Sequence, residues 1–149
     1  MAALDPVLSS TGYLLLKAGH YMANEFEAAL ATLDLSGREF LVLSFVAPEG
    51  ELPQRELTER LGLDPTIIVA LVDALEERRL LTRRRDATDR RRNVLALTAS
   101  GRRVHSRAVT AAAKAEASFL APLSPSQRTE LQSLLHATMV PRLSWLDPA

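Results

Sequence analysis

The 149-residue chain contains no cysteine, which excludes disulfides, thiolate metal ligands and thiol-based redox sensing. It also has no long apolar run. The longest, over 67–72, falls far short of the roughly 20 residues that span a bilayer. The first six residues lack the charged start and apolar stretch of a secretory signal, so a cytoplasmic location and no membrane partner are expected. No tract is low in complexity, and no period repeats. A glycine-rich phosphate loop, a nucleophile elbow and a carboxylate pair in a plausible pocket are all missing, which argues against an enzyme. The three histidines, His20, His105 and His136, are too scattered for metal ligation, so neither a metal centre nor a cofactor is expected.

Net charge is absent too, because 18 basic and 18 acidic residues cancel. Their distribution does not cancel. Between Glu76 and Arg107 eleven arginines face four carboxylates, a net of +7, and the rest of the chain carries the balancing −7. Such a chain can turn one basic face to a polyanion and keep its acidic body away. Lysine is scarce: 16 of the 18 basic residues are arginine, whose planar fork suits phosphate oxygens and guanine edges. The densest stretch runs from Arg83 to Arg92, between an apolar segment ending at Leu81 and the strand-like Val94-Leu95-Ala96-Leu97. It reads as the charged tip of a β-hairpin that meets DNA; the alternative is a solvated charged hairpin.

Helical spacing of Leu8, Leu15, Met22, Phe26, Ala29 and Leu33 predicts a long first helix over 7–33. Ser36 and Glu39 have capping-box spacing for a second helix to about 46. A short helix over 54–61 stops at Gly62, and Asp64-Pro65 restarts the chain as N-cap and first helical residue. These two helices around a three-residue turn are the angular pair of a helix-turn-helix, the second running to about 79. Leu80 to Thr82 and 94–97 form the two short strands of a wing. Thr98 caps a helix over 99–121 that is dense in alanine from 108 to 117, which favours close packing against another helix. Pro122 breaks it. Ser124-Pro125-Ser126-Gln127 opens a last helix to about 139, with Leu131, Leu134, Leu135 and Met139 as its apolar stripe.

The order of elements, together with Leu75-Glu76-Glu77-Arg78-Arg79-Leu80-Leu81, the Asp86 to Arg92 tip and Val94-Leu95-Ala96-Leu97-Thr98-Ala99-Ser100-Gly101, resembles the MarR-type family of dimeric winged-helix transcriptional regulators. The likeness covers nearly the whole chain, and Asp89-x-Arg91 before Leu97-Thr98-x-x-Gly101 is similar to the family's wing signature. It implies a mainly α fold with a small β-wing, a winged helix-turn-helix over 36–98, and dimerisation helices over 1–35 and 99–149. It also implies a homodimer on a roughly palindromic stretch of double-stranded DNA. By the resemblance, Arg91 enters the minor groove and Asp89 orients it, while Arg83, Arg85, Arg90 and Arg92 are phosphate contacts or their neighbours. Strand alternation turns only about half of these arginines toward DNA, leaving the others solvated or paired with Asp86.

The major-groove helix departs from the family, which usually carries small hydroxyl residues and often an arginine there. Here the positions hold Thr66, Ile67, Val69 and Ala70, with Leu71, Val72 and Leu75 expected as the core stripe. Apolar side chains can meet a thymine methyl but form no bidentate hydrogen bond to a base. Gln54, Arg55 and Thr66 are the polar candidates, whereas Asp73 reads as a surface or salt-bridging carboxylate. Arg79 stands where the family commonly has glycine. The apolar 67–70 face leaves a second function open, a winged helix that docks a protein partner and binds DNA weakly. For a small aromatic or carboxylate-bearing effector, implied by the resemblance, the candidates are Tyr13, Lys17, His20, Tyr21, Phe40 and Phe45. Phe40 and Phe45 also read as plain core, and His20 as a surface residue. Leu143, Trp145 and Leu146 are expected to cover a partner subunit, or else to fray.

Overall fold

A computed structural model of the chain describes residues 5–143. Six helices surround a three-stranded sheet: α1 (Thr11–Ala31), α2 (Gly37–Val46), α3 (Gln54–Leu61), α4 (Pro65–Glu77), α5 (Ala99–Phe119) and α6 (Pro125–Met139), with β1 (Leu52–Pro53), β2 (Leu81–Arg85) and β3 (Asn93–Leu97). The architecture is the winged helix expected from the sequence. Among the described residues no helix is long and apolar enough to cross a membrane.

Side-chain caps set most boundaries. The Glu39 amide donates to Ser36 Oγ, and the Glu39 carboxylate accepts from the Ser36 amide at 2.8 Å, completing the capping box of α2. Ser124 and Gln127 repeat the arrangement on α6. The first helix is shorter than the apolar spacing suggests. Asp5 caps a separate 3₁₀ turn (Pro6–Ser9), and Ser10, in extended conformation, accepts from the Tyr13 amide and starts α1 afresh. Two good N-caps in succession compete with a continuous helix for the same backbone amides.

Helix α4 also stops early, at Glu77, because the chain turns through a left-handed residue, Arg79, at φ 55°. The Leu80 amide reaches back to the Leu75 carbonyl and the Arg79 amide to that of Glu76, both at 2.9 Å. This is a Schellman closure, with Leu75 and Leu80 buried against it. Its C′ position favours glycine, which is the physical sense of the departure noted at Arg79.

The strand order is β1-β3-β2, antiparallel throughout, with Leu81 opposite Leu97, Arg83 opposite Leu95 and Arg85 opposite Asn93. Buried Leu81, Leu95 and Leu97 close one side of a core built from Leu43, Leu57, Ile68, Val72 and Leu75. The core stripe of α4 is therefore Ile68, Val72 and Leu75, one turn apart, while the expected Leu71 is only half-buried. Ala108 and Ala112 are buried where α5 lies along the body, and α1 runs beside α5. Helix α6 has no buried residue. Leu134, Leu135 and Met139 stay exposed, as do Leu14, Leu15 and Leu16 on α1. Leu143 is half-buried; Trp145 and Leu146 lie outside the described residues.

Candidate nucleic-acid interface

The wing tip is ordered by its own carboxylates. Asp86 Oδ1 accepts from the Thr88 hydroxyl and amide, both at 2.7 Å, and more weakly from the Asp89 amide at 3.3 Å. Donation by the Thr88 hydroxyl, then by these amides, holds the Asp86 carboxyl below the usual carboxylate range, so it is charged at neutral pH. Asp89 Oδ1 accepts from the Arg91 amide at 3.0 Å, and the Asp89 carbonyl from the Arg92 amide at 2.9 Å. The Asp86 amide closes the loop on the Arg92 carbonyl. Both acids thus bind backbone. Asp89 positions Arg91 through the main chain, and of the two fates expected for the spare arginines the tip shows solvation, with Arg92 attracted to Asp86 but not ion-paired to it.

Arg90, Arg91 and Arg92 are exposed and form no ion pair among the described residues, although the charge of Arg92 is near enough to help lower the pKa of the Asp86 carboxyl. The strand arginines behave differently. Arg83 is largely enclosed; its Nη2 lies 2.5 Å from Asp73 Oδ1 and 3.1 Å from Glu76 Oε2, both on α4, so it ties the wing to the recognition helix. Arg84 pairs with Glu51 beside β1. Arg85 donates from Nη1 to the Arg90 carbonyl at 2.7 Å, bracing the tip.

Between wing and helix-turn-helix lies a cleft of about 850 Å³ whose walls include Gln54, Arg55, Thr58, Pro65, Asp89, Arg91, Arg92 and Asn93. The fold has therefore gathered the two α3 candidates with the tip residues, though they are some 35 positions apart in the chain. Arg55 makes only an exposed ion pair with Glu59, which a phosphate can displace. Thr58 and Asn93 join the site without having been singled out in the sequence; their signal is positional, Thr58 one turn after Gln54 and Asn93 directly after the arginines.

Helix α4 starts at this cleft. The Thr66 amide donates to Asp64 Oδ1 at 2.8 Å, and this bond above all keeps the Asp64 carboxyl below its usual range. Thr66, Val69 and Ala70 are exposed, and Ile67 is half-buried.

The six residues considered for an effector lie on two helices, Tyr13, Lys17, His20 and Tyr21 on α1 and Phe40 and Phe45 on α2. Lys17 Nζ sits 5.8 Å from the Tyr13 ring centroid, and His20 contacts Asn24 and the edge of Tyr21, all on α1. Phe40 and Phe45 pack on the core from α2, and Phe40 stacks on His105. An apolar hollow of about 390 Å³ between α1, α5 and α6 is lined instead by residues such as Leu15, Met22, Phe26 and Phe119. No three histidine or acidic side chains come together as a metal site among the described residues.

Residues 33–92, from the end of α1 through the wing, match the family model described as MarR family. An HTH-type transcriptional repressor of Mycobacterium tuberculosis is 30% identical over 124 residues, 83% of this chain and 89% of the relative. Among solved structures, a MarR-family transcriptional regulator from Rhodococcus sp. RHA1 superposes with a TM-score of 0.83 at 29% identity, over 96% of this chain and 99% of the other. The PcaV transcriptional regulator of Streptomyces coelicolor, solved in complex with its natural ligand, gives 0.73 at 31% identity over 93% and 96%. A winged helix, in a chain this similar to known regulators over most of its length, admits one conclusion: the protein belongs to the MarR family and is a DNA-binding transcriptional regulator, not an enzyme.

Proposed function

We propose that the protein is a repressor that binds a roughly palindromic operator as a homodimer, with 36–98 as the DNA-binding unit and 1–35 and 99–149 as the dimerisation region. The observation that carries the reading is the wing tip. Its two carboxylates accept hydrogen bonds from backbone amides, and the guanidinium groups of Arg90, Arg91 and Arg92 form no ion pair among the described residues, Asp86 attracting Arg92 only through space. Such groups lose little by leaving water for phosphate and gain by releasing counterions. Arg91 enters the minor groove, Arg90 and Arg92 meet phosphates, and Gln54, Arg55 and Thr66 add contacts from the helix-turn-helix side of the same cleft.

The homodimer is supported by the apolar side chains that the single chain leaves in water. Leu16 is 76% exposed on α1 and Leu134 60% exposed on α6. A two-fold partner covers such faces and sets two recognition helices about one DNA turn apart. The reading includes release by a small aromatic or carboxylate-bearing effector; that a similar regulator takes a ligand supports it, PcaV having been solved with its natural ligand. Lys17 over Tyr13 is the cation and ring pair best suited to a carboxylate.

The test is fluorescence anisotropy of the purified protein on its own upstream DNA and on a scrambled duplex, across a salt series. Selective binding that weakens steeply with salt is expected. Weak, salt-insensitive association with both duplexes would overturn the reading in favour of a protein partner on the exposed face of α4.

A further inference from the structure

The thirteen residues of α4 include no arginine, lysine, asparagine, glutamine, serine or histidine. Its only polar side chains are Thr66, Asp73, Glu76 and Glu77. Arg83 already holds Asp73 at 2.5 Å and Glu76 at 3.1 Å, and Glu77 ends the helix, three turns from the cleft. What the first two turns present outward is Thr66, Val69 and Ala70, with Val69 40% exposed. Bidentate recognition of guanine needs arginine or lysine, and that of adenine needs asparagine or glutamine. Helix α4 has neither pair. The one feature of a major-groove edge that valine, alanine and the threonine methyl can meet favourably is the 5-methyl group of thymine.

We propose that Thr66, Val69 and Ala70 select the operator by packing against thymine methyl groups, so that α4 reads methyls and not hydrogen-bonding edges. The inference rests on the operator-binding reading above and names the bases that binding would prefer. The Arg83 ion pairs serve it, because one guanidinium engages both Asp73 and Glu76 and offsets one of their two negative charges on a helix that must pass between phosphates. Specificity of this kind is modest per contact. Burying one methyl is worth about 0.8 kcal/mol, about fourfold in affinity.

The experiment uses the full chain and a duplex enriched from a randomised pool of double-stranded DNA. The same duplex is then made with deoxyuridine in place of thymidine in both half-sites. This swap deletes only methyls in the major groove and leaves unchanged the minor-groove edges that the wing would meet. The expected result is a loss of about fourfold per methyl contacted, with a smaller uridine penalty for Val69→Ala and for Thr66→Ser. Both positions are exposed, and an unchanged thermal midpoint verifies that the variants fold. Equal affinity for the two duplexes would overturn the inference and leave DNA binding intact. A uridine penalty of undiminished size in both variants would also overturn it, since the methyls would then act through DNA shape. Failure to enrich any duplex would remove the operator-binding reading and this inference together.

Discussion

Gly101, in the first turn of α5, lies directly against the Leu80 carbonyl: a Cβ built on it would sit 1.8 Å from that oxygen. Thr98 Oγ1 donates to the Arg79 carbonyl at 2.7 Å, and its amide to the Leu80 carbonyl at 3.1 Å. The Leu97-Thr98-x-x-Gly101 motif therefore welds the start of α5 to the end of α4, across the base of the wing. We expect Gly101→Ala to cost about 3 kcal/mol, at the upper end for overpacking because the obstacle is backbone. Chemical denaturation would measure it, and a change under about 0.5 kcal/mol would show that the junction yields.

Arg79 gives the opposite expectation. A non-glycine residue at φ 55° is strained by about 1 kcal/mol, and this side chain forms no ion pair among the described residues. Arg79→Gly should stabilise the fold by about 0.5 kcal/mol once the greater freedom of unfolded glycine is counted. A lower denaturation midpoint in the variant would contradict this.

The arginines of the wing should separate by salt dependence. Arg91→Ala is expected to weaken operator binding and lower the slope of log affinity against log salt by about one. Arg83→Ala should leave that slope nearly unchanged and lower stability by about 1 kcal/mol, because its partners are carboxylates on α4. Asp89→Ala should weaken binding although it removes a negative charge, since it deletes the acceptor of the Arg91 amide. Tighter binding by that variant would mean that repulsion of phosphate outweighs positioning.

Charge placed on the exposed apolar faces should block assembly. Leu16→Glu or Leu134→Glu is expected to shift the protein from dimer to monomer in light scattering and to weaken operator binding at least tenfold. A wild-type monomer at micromolar concentration would refute the dimer.

His105 stacks on Phe40 and lies 3.2 Å from Ser44 Oγ, joining α5 to α2. Burial lowers its pKa below the usual histidine value of about 6.5. In the unfolded chain it takes up a proton first, so its stabilising contribution is complete above about pH 6.5 and declines as the pH falls toward the folded value. His105→Gln should flatten stability against pH in that acidic range. An identical slope in the variant would assign the dependence to other groups.

Much of this molecule could be read before folding, for a local reason. Ser36, Asp64, Thr98 and Ser124 bind amides two or three residues away, Gly62 takes the left-handed cap of α3 at φ 61°, and Val72 and Leu75 of the α4 stripe are buried as read, with Ile68 in place of Leu71. The second start at Ser10 was hidden because the apolar period runs through it without a change of phase.

By itself, the sequence determined the order of the six helices and the two wing strands, though not the short β1, together with the absence of thiol chemistry and the concentration of arginine in the wing, all consequences of residue type and short-range hydrogen bonding. Only the tertiary structure decided which arginines remain free. Asp73 lies 10 residues from Arg83 and Glu51 33 residues from Arg84, and nothing in the composition distinguishes these arginines from Arg90, Arg91 and Arg92. A guanidinium takes whichever carboxylate packing brings within reach. Arg83 and Arg84 meet acids from α4 and from the turn before β1, whereas the tip extends past those carboxylates.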